Sequence, residues 1–275
     1  MAGRKMRAAL ALTLPAALTA LSLFGCATAG SGITERSAGN ETLVLIDGGR
    51  LYDNWQKELN LPDPEGDHPL WKLQSTNKRT GNATWRCKEC HGWDYKGKDG
   101  AYASGSHQTG FPGVLPSRSK SIEAIEAILK GAANAEHDFS GLLSDDSIHS
   151  IAVFIQKGTF DLQGYLDYSS KTPYTSDSEK GKEIYHTTKC YYCHGEDGGL
   201  LSKYKDEYIG VIARTNPWEF IHKTRFGEPG EIMPALKIKL PSEEKRSRMP
   251  SGVGTGYDLQ DMLNLLAYTK SLSER

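Results

Sequence analysis

Two copies of one short pattern carry the residues best suited to chemistry. Cys87, Cys90 and His91 form the first copy, and Cys190, Cys193 and His194 form the second. Two thiols about one helical turn apart can each add to a vinyl group of the same porphyrin, and the adjacent histidine then presents its imidazole to the iron. Cys-x-x-Cys-His is the attachment signature of c-type haem. The sequence therefore predicts two covalently bound haem c groups, with His91 and His194 as proximal iron ligands.

Two other kinds of site use Cys-x-x-Cys. A redox dithiol of the thioredoxin kind needs a strand before the motif and a helix after it. Both motifs here follow helix-like segments and run into glycine-rich loops. A zinc site shared by the two motifs would leave each histidine without a role. The duplication favours haem over both alternatives.

The elements around the motifs are predicted to be helical and duplicated. Before the motifs, 48–55 and 178–185 read as helices, and 121–130 and 217–225 follow them as middle helices. Each half closes with a further helix, at 145–156 and 257–271. The stretch 61–82, rich in Pro, Asp and Asn, reads as an inserted surface loop, and 159–177 as a linker. These elements give two domains, 45–158 and 178–275.

Both halves resemble class I cytochrome c domains: a helix into Cys-x-x-Cys-His, a loop, a middle helix, a distal-ligand loop and a closing helix. The most specific stretch runs from Asn216-Pro217-Trp218 to Met233-Pro234, and it is similar to the distal loop of diheme cytochromes c from respiratory and sulfur- or iron-oxidising bacteria. The resemblance implies a mainly α fold of two tandem domains, each wrapped around one covalent haem.

The sixth iron ligand is predicted to differ between the halves. In the second half, Met233-Pro234 matches the class I arrangement, and thioether ligation raises the potential of a haem. Core filling is the ordinary use of a methionine, but the position and the following proline favour a ligand. Met249-Pro250 is a rival that sits in a charged stretch close to the final helix.

The first half has no methionine between Cys87 and Gly158. The candidates for its sixth ligand are four histidines: His68, His107, His137 and His149. When the glycines that end the two middle helices, Gly131 and Gly227, are aligned, His137 falls on the position of Met233. His149 lies on the closing helix, whereas His68 and His107 lie in loops and could reach the haem only by folding back. His137 is therefore predicted to ligate haem 1.

The N-terminus reads as an export signal. Residues 1–25 combine a positive start, at Arg4, Lys5 and Arg7, with an apolar run too short to span a bilayer with ease. Two cleavage sites compete. Leu23-Phe24-Gly25-Cys26 resembles a lipobox, which would lipidate Cys26, and Ala27-Thr28-Ala29 offers ordinary cleavage. The lipoprotein reading also explains the fifth cysteine, and it makes the protein periplasmic and lipid-anchored, with 26–44 as an N-terminal linker.

Composition and net charge narrow the classes of function that the protein could have. The 275 residues are 38% hydrophobic and 24% charged, which suits one or two compact domains. Loss of the signal changes the net charge from -1 to -4, and no basic patch indicates a nucleic-acid partner. An electron carrier between redox partner proteins is favoured because both irons are predicted to be six-coordinate. A haem-bearing subunit of a larger oxidoreductase is the second reading, and a diheme enzyme acting on a sulfur compound or peroxide is the third.

Overall fold

The computed structural model describes residues 31–200, 208–236 and 257–273. The predicted signal, Cys26 and Met249 lie outside these residues. Nine helices are found among the described residues: α1 Ser31–Glu58, α2 Cys87–His91, α3 Ile122–Leu129, α4 Asp145–Val153, α5 Ser178–Thr187, α6 Cys190–His194, α7 Ile209–Thr215, α8 Pro217–Phe226 and α9 Leu259–Lys270. The prediction of a mainly helical fold is confirmed. None of the described helices is long and apolar enough to cross a membrane.

Short elements complete the chain. Turns of 3-10 helix cover Pro69–Leu73, Gly81–Trp85, Leu115–Ser119 and Ala135–His137, and a π-helical turn, Phe154–Gly158, extends α4. Strands β1 (Leu166–Asp167) and β2 (Thr172–Pro173) form a small antiparallel hairpin. Two of the 3-10 turns lie in or at the end of the predicted insertion 61–82, and the hairpin lies within the predicted linker 159–177.

Polar side chains fix where the longer helices begin. An N-terminal cap accepts a backbone N–H that has no partner within its helix. The capping residues are Ser121 for α3, Ser144 for α4, Asp177 for α5, Asn216 for α8 and Asp258 for α9. In α8 the cap precedes Pro217, whose fixed φ suits the first turn. These signals are local in the sequence, which is why these helices could be predicted.

Each half contains one very close helix crossing that depends on a glycine. A Cβ added to Gly48 of α1 would lie 1.9 Å from the carbonyl oxygen of Ser150 in α4. A Cβ added to Gly181 of α5 would lie 2.0 Å from the carbonyl oxygen of Asn264 in α9. Real side chains cannot approach backbone this closely, so both crossings require glycine.

The same tyrosine contact links the first helix of each half to its Cys-x-x-Cys-His motif. The Tyr52 hydroxyl donates to the carbonyl of Gly92, and the Tyr185 hydroxyl donates to the carbonyl of Gly195, both at 2.7 Å. Each glycine follows a motif histidine and has a positive φ, 80° and 82°. The two halves therefore position their motifs with the same local geometry.

The halves pack against each other through shared apolar cores. Trp93 and Tyr102 of the first half are buried in the core of the second, and Phe226 of α8 is buried in the core of the first. The predicted linker is also packed, because Phe160 and Leu162 are 2% and 1% exposed in the second core. The two halves are thus joined by apolar contacts in addition to the chain that connects them.

Candidate cofactor sites

The first motif opens onto a partly enclosed cavity. Cys87, Cys90, His91 and His137 all line it. The remaining lining residues are mostly apolar or aromatic: His68, Leu70, Thr84, Trp85, Arg86, Phe111 and Phe139. A concave, largely apolar site with a few convergent polar groups is typical of a cofactor pocket. The prediction that His137 lies opposite this motif agrees with the shared cavity.

His91 is held in one orientation by the backbone. Its Nδ1 lies 2.7 Å from the carbonyl oxygen of Pro112, and since a carbonyl only accepts, Nδ1 must be the donor. This leaves Nε2 with a lone pair, which is the tautomer that a metal ligand needs. Desolvation lowers the pKa of His91 to about 4, so the ring is neutral near pH 7. No local sequence pattern indicates that Pro112 would provide this contact.

His137 faces His91 at a separation that suits a shared metal. The two ring centroids are 6.2 Å apart. Two imidazoles that bind one metal from opposite sides at about 2 Å place their centroids roughly 6 Å apart once the ring radii are added. His137 ends the Ala135–His137 turn, where its backbone N–H donates to the carbonyl of Asn134 at 2.9 Å. The residues of the first cavity therefore fit a haem with two histidine ligands.

His68 also reaches the first cavity. The fold brings this loop residue back over the motif, so that its ring centroid lies 6.1 Å from that of His137 and 4.7 Å from that of Trp85. Its Nδ1 accepts the N–H of Leu70 at 3.1 Å, which leaves Nε2 as its other polar atom. Burial lowers its pKa to about 4. Sequence reasoning discounted His68 because contact with the motif depends on the fold of the insertion.

The other two histidine candidates have different surroundings. His107 stacks on Tyr102 and lies 3.3 Å from the carboxylate of Glu89, which is fully buried inside the first motif. His149 is half-exposed on α4 and pairs with Glu126 at 2.7 Å. Neither lines the first cavity.

The four motif thiols are free. Cys87, Cys90, Cys190 and Cys193 form no disulfide. Burial raises the pKa of Cys87 to about 12 and also raises the pKa of Cys190. Four reduced thiols in two pairs are what thioether attachment of two porphyrins requires.

His194 of the second motif and Met233 line a second, larger cavity, whereas Cys190 and Cys193 are not among the residues that line it. Ile209, Ile212 and Phe220 supply apolar walls. Met233 is half-buried in the loop that follows α8. The two predicted ligands of haem 2, His194 and Met233, therefore line one cavity.

The two cavities share a wall. Arg86, the residue before Cys87, lines both of them, and Lys88 from inside the first motif lines the second. The Arg86 guanidinium donates to the carbonyl of Asp53 at 2.8 Å and forms an ion pair with its carboxylate. Arg86 and Lys88, at the first motif, therefore lie on the wall of the cavity that His194 also lines.

Comparison with known families covers the second half. Residues 178–273 match the family model of cytochrome c. No curated protein and no solved structure matched the chain significantly. The matched range begins at α5, includes the second Cys-x-x-Cys-His motif and ends after α9. This part of the chain is similar to a cytochrome c domain, which implies covalently bound haem c and suggests electron transfer.

Proposed function

We propose that this chain is an exported diheme cytochrome c that relays electrons between periplasmic or membrane-bound redox partners. Its two domains would be 45–158 and 178–275, the second of which contains the matched range. The observation that carries the proposal is the first cavity, where Cys87, Cys90 and His91 meet a second histidine, His137. The repeated tyrosine and glycine contacts support the same origin for both halves.

In this proposal haem 1 has His91 and His137 as axial ligands, and haem 2 has His194 and Met233. The ring separation of 6.2 Å supports the first pair. The shared cavity of His194 and Met233 supports the second. Six-coordinate irons favour electron transfer over binding of a small substrate.

When bound, each haem supplies a reversible one-electron iron couple. The chain's own residues determine how that couple is held. The Pro112 carbonyl orients the His91 ring and fixes its tautomer. Trp85, Phe111 and Phe139 exclude water from the first cavity. Low access of water and the choice of iron ligand are two of the means by which a protein sets a haem potential.

The different ligand pairs create a gradient. Imidazole stabilises ferric iron more than thioether does, so haem 1 is expected to have the lower potential. Axial ligands move haem potentials over a total range of about 0.8 V, and a difference of a few tenths of a volt is expected here. With both haems bound, this difference would favour electron transfer from the group held by His91 and His137 to the group held by His194 and Met233.

Export and anchoring belong to the same proposal. The predicted signal and Cys26 support a periplasmic protein held to a membrane by an N-terminal lipid. The intact mass of the mature protein tests this. A lipidated N-terminal Cys26 supports anchoring, whereas a chain that begins after Ala29 contradicts it.

The test of the haem assignment is a potentiometric titration followed by electron paramagnetic resonance of each redox state. We expect two low-spin haems at well-separated potentials. Because His68 could replace a missing ligand, His137→Ala is compared with His68→Ala and with the double variant. The lower-potential haem should remain low-spin in His68→Ala and become high-spin in the double variant. A high-spin haem in the native protein, or loss of the low-spin state in His68→Ala alone, would contradict the assignment.

A further inference from the structure

The loop that carries Met233 is held by a helix of the other half. Arg50 of α1 donates from Nε to the carbonyl of Phe226 at 2.8 Å and from a terminal nitrogen to the carbonyl of Met233 at 3.0 Å. These two carbonyls mark the end of α8 and the far side of the loop. One guanidinium thus bridges the two ends of the loop 227–233.

The backbone of this loop closes tightly around the guanidinium. Gly227 has a φ of 88°, and a Cβ there would lie 2.5 Å from the Met233 carbonyl oxygen and 2.6 Å from an Arg50 nitrogen. Arg50 is held in turn by Glu58, at 3.3 Å. A planar fork of fixed donors suits two carbonyls at fixed positions better than an ammonium on a flexible stem does.

The last turn of α1 contacts the middle of the same loop. The Gly230 N–H donates to Glu58 at 2.7 Å, and Lys57 pairs with Glu231 at 3.1 Å. A kink at Asn54 turns this end of the helix, and the Asn54 side chain accepts the N–H of Lys57 at 3.1 Å. Both ends and the centre of the loop therefore contact α1.

The corresponding loop of the first half is held within its own half. Phe139 N–H donates to the carbonyl of Leu129 at 2.9 Å, and Lys130 and Asp138 form a β-bridge. His137 is thus positioned by α3, which belongs to its own half. In the second half the Leu236 N–H reaches Thr224 at 2.8 Å, but the Met233 carbonyl is bound by Arg50.

We propose that Arg50 is a positioning residue that keeps Met233 at the iron of haem 2, so that the first half controls ligation in the second. This inference rests on the proposed function, in which Met233 is the sixth ligand. Without the guanidinium, the two carbonyls lose their shared donor and the loop can move away from the cavity. The methionine would then be lost from the iron while the haem and His194 stay in place.

The test compares Arg50→Ala and Arg50→Lys with the unaltered full-length holoprotein. The absorption band of the iron–thioether bond should be lost or strongly reduced in Arg50→Ala, and the higher midpoint potential should fall toward the lower one. Added imidazole should bind ferric haem 2 about tenfold more tightly or better, because it no longer displaces a well-held methionine. Arg50→Lys keeps the charge but not the fork, and it should give an intermediate loss. The spectrum and potential of haem 1 should not change.

Arg214→Ala is the matched control. Arg214 also binds two backbone carbonyls, those of Lys270 and Leu272, at 2.5 and 2.8 Å, but away from the Met233 loop. This variant should lower thermal stability and keep the iron–thioether band. The inference is overturned when folded Arg50→Ala retains the band and potential, or when Arg214→Ala loses the band equally.

Met233→Ala separates this inference from the proposed function. Loss of the band in Met233→Ala shows that Met233 is the ligand, and the Arg50 variants then decide the role of Arg50. A band and potential that survive Met233→Ala overturn the ligand assignment and, with it, the positioning role.

Discussion

His222 is a buried histidine at the contact between the two halves. It is 1% exposed, its Nε2 lies 2.9 Å from the carbonyl of Gly49, and its Nδ1 lies 2.8 Å from the Tyr95 hydroxyl. Since the carbonyl must accept, Nε2 donates and Nδ1 accepts from the tyrosine. Burial lowers the pKa of His222 to about 3, although the nearby Asp53 carboxylate raises it in part. The ring is therefore neutral in the folded protein at ordinary pH.

This lowered pKa predicts that stability falls as the solution is acidified. Between the unfolded pKa of about 6.5 and the folded pKa of about 3, the unfolded chain binds a proton that the folded chain excludes. The free energy of unfolding should thus rise with pH in this window, by up to about 1.4 kcal/mol per pH unit from this residue. His222→Gln cannot titrate, so its slope of stability against pH should be smaller by that amount.

Denaturant unfolding from pH 4 to pH 7 measures both slopes. The holoprotein is used in each case, because the ligand histidines contribute equally to both proteins and cancel in the difference. Equal slopes in the unaltered protein and His222→Gln would show that His222 is not a buried neutral group.

At the scale of elements, the two glycine-dependent crossings position the helices that precede the motifs, α1 and α5. Gly48 and Gly181 allow α1 to meet α4 and α5 to meet α9 at backbone contact. Each helix also carries the tyrosine that binds the turn after its motif. The distance between crossing helices therefore sets where each motif lies.

Gly181→Ala should destabilise the protein strongly. Its new methyl group would lie 2.0 Å from the Asn264 carbonyl oxygen, so α5 and α9 must separate. Overpacking of this kind costs about 1–3 kcal/mol or more. Gly141→Ala is the control, because nothing lies within 4 Å of a Cβ at that position. Thermal unfolding should show a lower midpoint for Gly181→Ala alone, and equal midpoints in both variants would contradict the crossing.

Sequence reasoning predicted the helices that have local signals and missed elements that depend on distant contacts. Helices α3, α4, α5, α8 and α9 were expected within a few residues of their observed ends, since each has a cap and an apolar face. The short helix α7 and the β1–β2 hairpin were not expected. Helix α7 follows a segment without clear periodicity, and the hairpin lies within one. Both elements pack against the second core.

Residues of the candidate sites were likewise predictable where the signal is local in the sequence, and not where it depends on distant contacts. Cys-x-x-Cys-His is contiguous, so its chemistry can be recognised without a fold. His137 is predicted as a ligand by aligning the glycines after the two middle helices. His68 and Arg50 were not assigned roles, because His68 reaches its cavity through the insertion and Arg50 acts on the other half. No spacing in the sequence connects residues that meet across such an interface.

At the scale of the whole molecule, one buried carboxylate pairs with cationic side chains that line the two cavities. Asp53 is fully buried, and it pairs with Arg86, which lines both cavities, and with Lys223, which lines the second, at 3.4 Å. Burial alone would raise the pKa of Asp53, but Lys223 and Arg86 lower it below its ordinary value. The carboxylate is therefore charged at neutral pH and pairs with Arg86, a residue that lines both cavities.

Asp53→Asn removes one negative charge at that position. Loss of a nearby negative charge favours the reduced, less positive state of an iron centre, so both midpoint potentials should rise. Stability should fall by about 3–5 kcal/mol, because Arg86 and Lys223 lose a buried partner. Glu41→Gln is the control, since Glu41 pairs with Lys157 on the surface and both side chains are nearly half-exposed. A potentiometric titration decides the matter. If the midpoint potentials of both haems rise in Asp53→Asn and neither rises in Glu41→Gln, the Asp53 charge acts on both sites. If only one midpoint potential rises, the carboxylate acts on a single site.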